Sequence, residues 1–340
     1  MRHYFRVAAF VLALAVVGFA VSSPAKVDAQ RVKRRASAQK ARGAVPSVRF
    51  DSGDRVLGVP LEIDNNIILL RVRVNGSEPL RFIFDTGASH TVISSRRAAE
   101  LGLKAEGRFS GNATGGAIRG SVVKGVSLGV KGAEVSNLLV ASMPFETPPG
   151  FDFDGIIGSD FIRQFVVEID YQGKTMNLYD PRAFRYKGGG EALPLILTGS
   201  TPLVRAEVTL EGRAPFEARL EVDTGADGTF LFNSPFVKKR NLPAAFPKAA
   251  QESASGGGGE QRRLVGRAKA VKLGRVVLDN PPVGLSLDTE GSGASEANDG
   301  LVGGEVLRRF KVILDYSRGR MILEPNGSLK DPFEVDDGRD

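Results

Sequence analysis

Two stretches of this chain carry the same acid in the same setting: Phe82-Ile-Phe-Asp-Thr-Gly-Ala-Ser-His-Thr-Val-Ile93 and Leu220-Glu-Val-Asp-Thr-Gly-Ala-Asp-Gly-Thr-Phe-Leu231. Each sets an aspartate, Asp85 or Asp223, at the end of an apolar run and directly before Thr-Gly-Ala. A single Asp-Thr-Gly is a weak signal, most often just a turn. A matched pair points to two carboxylates on two sharp turns. If packing brings the turns face to face, both acids cannot ionise, so they share a proton and titrate as a coupled pair. One then acts as base toward a water held between them, while the other, protonated, polarises a carbonyl. Gly87 and Gly225 allow close backbone approach without a Cβ clash. Thr86 and Thr224 are expected to turn their hydroxyls into the turn and brace it.

The composition leaves little else to do hydrolytic chemistry. The 340 residues include no Cys and two His, His3 and His90. That excludes disulfide frameworks, thiolate zinc sites, iron–sulfur ligation and cysteine nucleophiles. Neither a metal nor a cofactor is expected. As a catalytic base, His90 would need a nucleophile held against it; a surface or groove-lining role is expected instead. Phe151-Asp-Phe-Asp-Gly155 is superficially like a calcium loop but lacks the distal Glu, so Asp152 and Asp154 read as turn residues.

The net charge of +7 divides unevenly. Residues 1–50 hold ten Lys/Arg against Asp28 alone, which leaves the other 290 at −2. The basic character belongs to a tail, and a nucleic-acid groove on the body is not expected. Arg2, His3 and Arg6 precede an apolar run from Val7 to Val21, short for a membrane span and followed by small residues. This reads as a secretory signal peptide over 1–29, cleaved after Ala29, with an uncleaved N-terminal anchor as the alternative. The expected location is periplasmic or extracellular. Residues 30–50 read as a basic disordered spacer, whose charge also suits weak contact with an anionic membrane surface.

The elements that must position the acids repeat as well. Asp154-Gly-Ile-Ile-Gly158 matches Asp299-Gly-Leu-Val-Gly303, and Phe165-Val-Val-Glu-Ile-Asp-Tyr171 matches Phe310-Lys-Val-Ile-Leu-Asp-Tyr316. Two homologous lobes follow, residues 51–187 and 191–334, joined at Gly188-Gly189-Gly190. Short β-branched stretches bounded by Gly, Asn or Asp predict strands at Ile67–Val74, Leu203–Leu210, Phe165–Ile169 and Phe310–Leu314. Helices are few: one capped by Ser94 through Glu100, one at Ser234-Pro235, and single turns at Ser159–Gln164 and Glu305–Arg309. The fold class is all-β, two pseudo-twofold lobes with a few short helices.

On these motifs the sequence resembles the aspartic peptidases, in particular the bacterial retropepsin-like type with two Asp-Thr-Gly copies in one chain. The resemblance spans roughly residues 57–325. It implies the acid-protease barrel for each lobe and an endopeptidase with Asp85 and Asp223 as catalytic acids. It implies Thr86, Gly87, Thr224 and Gly225 as the supporting turns, with Ile156-Ile157-Gly158 and Leu301-Val302-Gly303 threading beneath them. It also implies a peptide or protein substrate, with one chain supplying both acids as a monomer. By the same resemblance Asp227 matches a position that binds substrate backbone; a solvated turn aspartate is the alternative. The flap candidate Phe109–Arg119, with Gly115 and Gly116, is Gly-rich and lacks the flap tyrosine of pepsin-type enzymes; its lobe 2 counterpart is Ser253–Arg263. These loops either close over an extended peptide or are idle surface loops.

Pepsin-like enzymes often carry Ser after Asp-Thr-Gly, where this chain has Ala88 and Ala226. Without that hydroxyl the carboxylates lose a stabilising hydrogen bond, and a weakly acidic optimum is expected rather than a strongly acidic one. Three rival readings remain: a non-catalytic peptide binder of the same fold; a glycosidase, whose carboxylates would lie about 5–5.5 Å apart or further; and an envelope-attached scaffold.

Overall fold

The structure, a computed structural model, describes residues 45–145 and 150–333, together with the backbone of Phe10–Val11 and Leu14–Ala15. Apart from those four positions, the expected signal peptide and residues 30–44 of the spacer lie outside the described residues. Two large sheets, of ten and eleven strands, form the lobes, and a six-stranded sheet joins them. The all-β, two-lobed architecture is the one expected.

Sequence pattern decides where strands form. Ile67–Val74 is buried throughout except at Arg71 and Arg73, an alternation that puts one face in the core and releases the arginines to solvent. The strands Val166–Asp170 and Phe310–Asp315 lie side by side, antiparallel, at the middle of the six-stranded sheet. Their sequences are correspondingly apolar on both faces. Arg55–Pro60 and Thr175–Tyr179 of lobe 1 continue this sheet on one side. Glu191–Pro194 and Arg320–Pro325 of lobe 2 continue it on the other. The three linking glycines end at the first residue of Glu191–Pro194.

Two expectations are corrected. Residues 47–50, placed in the disordered spacer, form the strand Ser47–Phe50 on the edge of Ala133–Met143. Phe50 supplies the reason: its ring meets that of Phe165 at 5.8 Å, which draws the segment onto the core. The helix Ser95–Glu100 is capped by Ser94 as expected, with Ser94 Oγ accepting from Arg97 N at 3.2 Å. The helix Ser234–Lys239 instead begins after Asn233 and has no side-chain cap. Ser234 Oγ donates to Asp288 O, and the Asn233 amide is drawn away to Asn298.

Within each lobe the same arrangement of three strands surrounds an Asp-Thr-Gly turn. Leu80–Phe84 runs parallel to Gly155–Ile157, which pairs antiparallel with Val92–Ser94. Phe216–Val222 runs parallel to Gly300–Val302, which pairs antiparallel with Phe230–Phe232. The chain therefore enters and leaves each turn on either side of a short apolar strand. Long hairpins, Gly107–Ala113 with Gly116–Val130 and Ala250–Gly256 with Gly259–Arg267, project from the two lobes at the two candidate flap positions. At their outer edges Leu14–Ala15 pairs antiparallel with Asn112–Ala113, and Phe10–Val11 pairs parallel with Ser255–Gly256.

Candidate active site

Asp85 and Asp223 sit at the ends of Leu80–Phe84 and Phe216–Val222, each with no exposed surface. The short strand beneath each turn fixes the acid by a main-chain bond: Asp85 N donates to Ile157 O and Asp223 N to Val302 O, both at 3.0 Å. Ser159 N and Gly304 N then donate to Ala88 O and Ala226 O. A second anchor lies at the start of each support strand. Asp154 accepts from Arg81 N and Arg97 Nε, and Asp299 accepts from Arg219 N and Nε. Asp154 thus serves its turn as expected.

The two turns interlock across the lobe boundary. Thr86 Oγ1 donates to Val222 O at 2.5 Å and accepts from Thr224 N at 3.0 Å. Thr224 Oγ1 donates to Phe84 O at 2.7 Å and accepts from Thr86 N at 3.1 Å. The threonines therefore brace the opposite turn, not their own, which corrects the sequence reading; a repeat gives no sign of which copy a side chain will touch. Gly87 and Gly225 have an equally direct reason. A Cβ on Gly87 would come within 2.9 Å of Asp223 Cγ, and one on Gly225 within 2.5 Å of Asp85 Cγ. Each glycine makes room for the other lobe's acid.

The two carboxyls are close enough to couple, interacting with one another through charge and a side-chain hydrogen bond. That is closer than the separation of glycosidase acids, so the geometry disfavours that rival. Asp85 Oδ1 accepts from Gly87 N and Ala88 N, and Asp223 Oδ1 from Gly225 N. No N–H or O–H from elsewhere in the described residues reaches Oδ2 of either acid. Ala88 and Ala226, both buried, present only methyl groups where a hydroxyl would otherwise be available.

Burial pushes Asp85 well above the ordinary carboxylate range, and the charge of Asp223 adds to this. Burial raises Asp223 to about 6, opposed by the Gly225 N–H and by the hydrogen bond from Asp85. The pair thus titrates as one coupled unit that retains a proton into the weakly acidic range. A third acid belongs to the same electrostatic group. Glu221, two residues before Asp223, is buried and is held well above its ordinary value by burial and by Asp223. Sequence reasoning passed it over, although the signal was available: the repeat has Ile83 at the equivalent position.

The hairpin tips meet each other. Gly258 N donates to Thr114 O at 2.8 Å, and Thr114 Oγ1 lies 2.9 Å from Ser292 Oγ. Gly115 and Gly116 form the first tip and lie against the backbone of Gly259 and Gly258. Asp227 lies in the Asp223 turn but is only 5% exposed; its Oδ2 accepts from Asn65 of lobe 1 at 2.9 Å. It is therefore not a solvated turn residue: Asn65 and Asn66, the latter donating to Asp227 O, tie it to the opposite lobe. His90 is half-buried beside Ser89 Oγ, and burial lowers its basicity.

With this geometry in view, comparison with known proteins gives a consistent result. The family model described as aspartyl protease matches residues 70–161 and 206–306, one region in each lobe, and the chain belongs to that family. Among solved structures it is similar to the aspartic proteinase from Irpex lacteus, with a TM-score of 0.51 and 15% identity over 82% of this chain and 99% of that one. At that identity the likeness is one of fold. No curated protein sequence matches the chain.

Proposed function

We propose that the protein is an exported aspartic endopeptidase that hydrolyses peptide bonds between its two lobes. The observation that carries this reading is the hydrogen-bonded pair of fully buried aspartates on interlocked turns. A peptide binder has no use for two opposed acids, whose burial opposes ionisation and destabilises the fold near neutral pH.

In the proposed reaction, Asp223 takes a proton from a water while that water's oxygen attacks the scissile carbonyl carbon. Asp85 gives its proton to the carbonyl oxygen, which forms a neutral tetrahedral diol. The proton then on Asp223 passes to the amide nitrogen, the C–N bond breaks, and a diol hydroxyl returns a proton to Asp85 as the acid product forms. Atoms and charges balance without a metal or a nucleophilic side chain. The substrate class fits the hairpins, whose outer edges pair with extended backbone at Asn112–Ala113 and Ser255–Gly256. Both acids come from one chain, so a monomer suffices. Export rests on the leader, and the basic segment before Ser47 serves as a spacer.

The test is a broad peptide library incubated with wild type, Asp85→Asn and Asp223→Asn, with and without a pepstatin-like inhibitor. Cleavage by wild type should fall at least about a thousandfold in each variant, the scale at which a paired acid–base unit acts. Cleavage that persists in either folded variant rejects the mechanism.

A further inference from the structure

The two lobes differ most beside the acids. Two residues before an aspartate on a strand means the same face, so Ile83 and Glu221 flank Asp85 and Asp223 in equivalent ways. Ile83 joins a buried apolar cluster with Ile67, Leu69, Val92, Phe109 and Ile156. The corresponding cluster in lobe 2 shrinks to Ala226, Leu231 and Leu301. In place of the apolar cluster is an opening of about 60 Å³ lined by Glu221, Gln261, Asn298 and Asn233, with Thr114 and Ser292 closing it from the hairpin side. That is room for several waters or for the head of a long polar side chain.

Its polar chemistry is unbalanced. Glu221 Oε2 accepts from Asn298 Nδ2 at 3.1 Å, and Asn298 Oδ1 accepts from Asn233 Nδ2 at 2.6 Å. The Asn298 and Asn233 amides are thereby engaged. Gln261, with no exposed surface, gives Nε2 to Asp288 and leaves Oε1 without a partner among the described residues. Acceptors are in excess, and no Lys or Arg lines the opening. A buried carboxyl and a buried unpaired amide oxygen are both costly to leave so, and a group carrying several N–H donors and a positive charge satisfies both.

We propose that Glu221, Gln261 and Asn298 form a specificity subsite that takes a cationic substrate side chain, lysine or arginine, on the lobe 2 side of the scissile bond. The inference rests on the peptidase reading for its ligand, an extended peptide. Thr114, at the tip of the lobe 1 hairpin, lines the same opening, so closure of that hairpin seals the bound side chain from water. Desolvation then strengthens the ion pair with Glu221. Lobe 1, with Ile83 and its apolar neighbours, selects the opposite character. The cleft is apolar toward one end and acidic toward the other.

Matched peptides that carry lysine or leucine at the residue contacting lobe 2 test this. Wild type should cleave the lysine peptide at least about tenfold better in kcat/KM, the effect of a desolvated charge-assisted hydrogen bond. Glu221→Ile should reverse the preference, and the near-isosteric Glu221→Gln should lower the lysine-to-leucine ratio at least about tenfold with its melting temperature retained. The same preference should appear as a Kd difference in Asp85→Asn, measured by calorimetry without turnover. No preference for lysine or arginine in wild type, or an unchanged ratio in folded Glu221→Gln, overturns the subsite while leaving the peptidase reading intact. Selective binding without any Asp85-dependent cleavage overturns the peptidase reading and keeps the subsite.

Discussion

At the scale of single residues, the proposed hydrolysis depends on how the two acids titrate. Asp85 keeps its proton well above the ordinary range, while Asp223 titrates at about 6. The reactive state has one proton on the pair, so the acid limb of a pH–rate profile should rise through about pH 6 and not near pH 3. Stability has the opposite sign. An acid whose folded pKa is raised keeps in the native state a proton that the unfolded chain has lost. Its contribution is fully present below about 4, the unfolded value, and disappears as pH rises through the folded value. The wild type should therefore lose melting temperature relative to Asp223→Asn between pH 4.5 and pH 7.5, by a few degrees. Thermal melts of the two proteins across that range measure the difference, and parallel curves would contradict the shifted titration. The alanines after each Asp-Thr-Gly are consistent with this behaviour: without a hydroxyl donor at Oδ2, burial is less opposed.

At the scale of elements, the two hairpins close against each other at their tips. Their tips touch through glycine backbone, and at Gly115 the chain adopts φ +87° with Gly259 O only 2.3 Å from where a Cβ would stand. Gly115→Ala meets both the left-handed backbone penalty and the facing strand, a cost of roughly 1–3 kcal/mol. The strain falls on the contact between the two tips, so the expected effect falls on closure. Peptide kcat/KM should drop by about tenfold or more, while chemical denaturation shows a loss of stability confined to roughly that 1–3 kcal/mol. A normal rate in this variant would show that the tips need not meet during turnover. The composition of the hairpin made its glycine-rich tip legible. It did not indicate that two glycine turns from separate lobes would abut.

At the scale of the whole molecule, the six-stranded sheet and the crossed threonines between the acids both join the lobes, beside the hairpin tips. Each threonine hydroxyl serves a carbonyl and an N–H of the other lobe, all buried. Thr86→Ala strands both partners in a site with no exposed surface. It should destabilise the protein by roughly 2–4 kcal/mol, and Thr224→Ala should match it because the geometry is reciprocal. The double variant should cost clearly less than the two singles together, since each mutation removes part of the same network. Urea denaturation of the four proteins completes that cycle, and simple additivity would mean that the hydroxyls act separately. Asp227, held by Asn65 and Asn66 from the facing lobe, extends the same cross-lobe link.

The repeated Asp-Thr-Gly-Ala, the collinear Ile156-Ile157-Gly158 and Leu301-Val302-Gly303, and the alternating strands were all legible before any coordinates. Local pattern encodes burial, and two copies of one pattern encode two lobes. The helix start after Asn233 and the ordering of Ser47–Phe50 were not, because a cap and an edge strand are settled by distant partners, Asn298 and Phe165. The same limit applied at the centre. Sequence alone determined that two acids would sit on two tight turns; tertiary structure decided that each threonine grips the opposite turn and that the two acids are buried together. It also decided that Glu221 shares their buried space. Those outcomes depend on distances between residues more than a hundred positions apart, which packing sets and periodicity does not record.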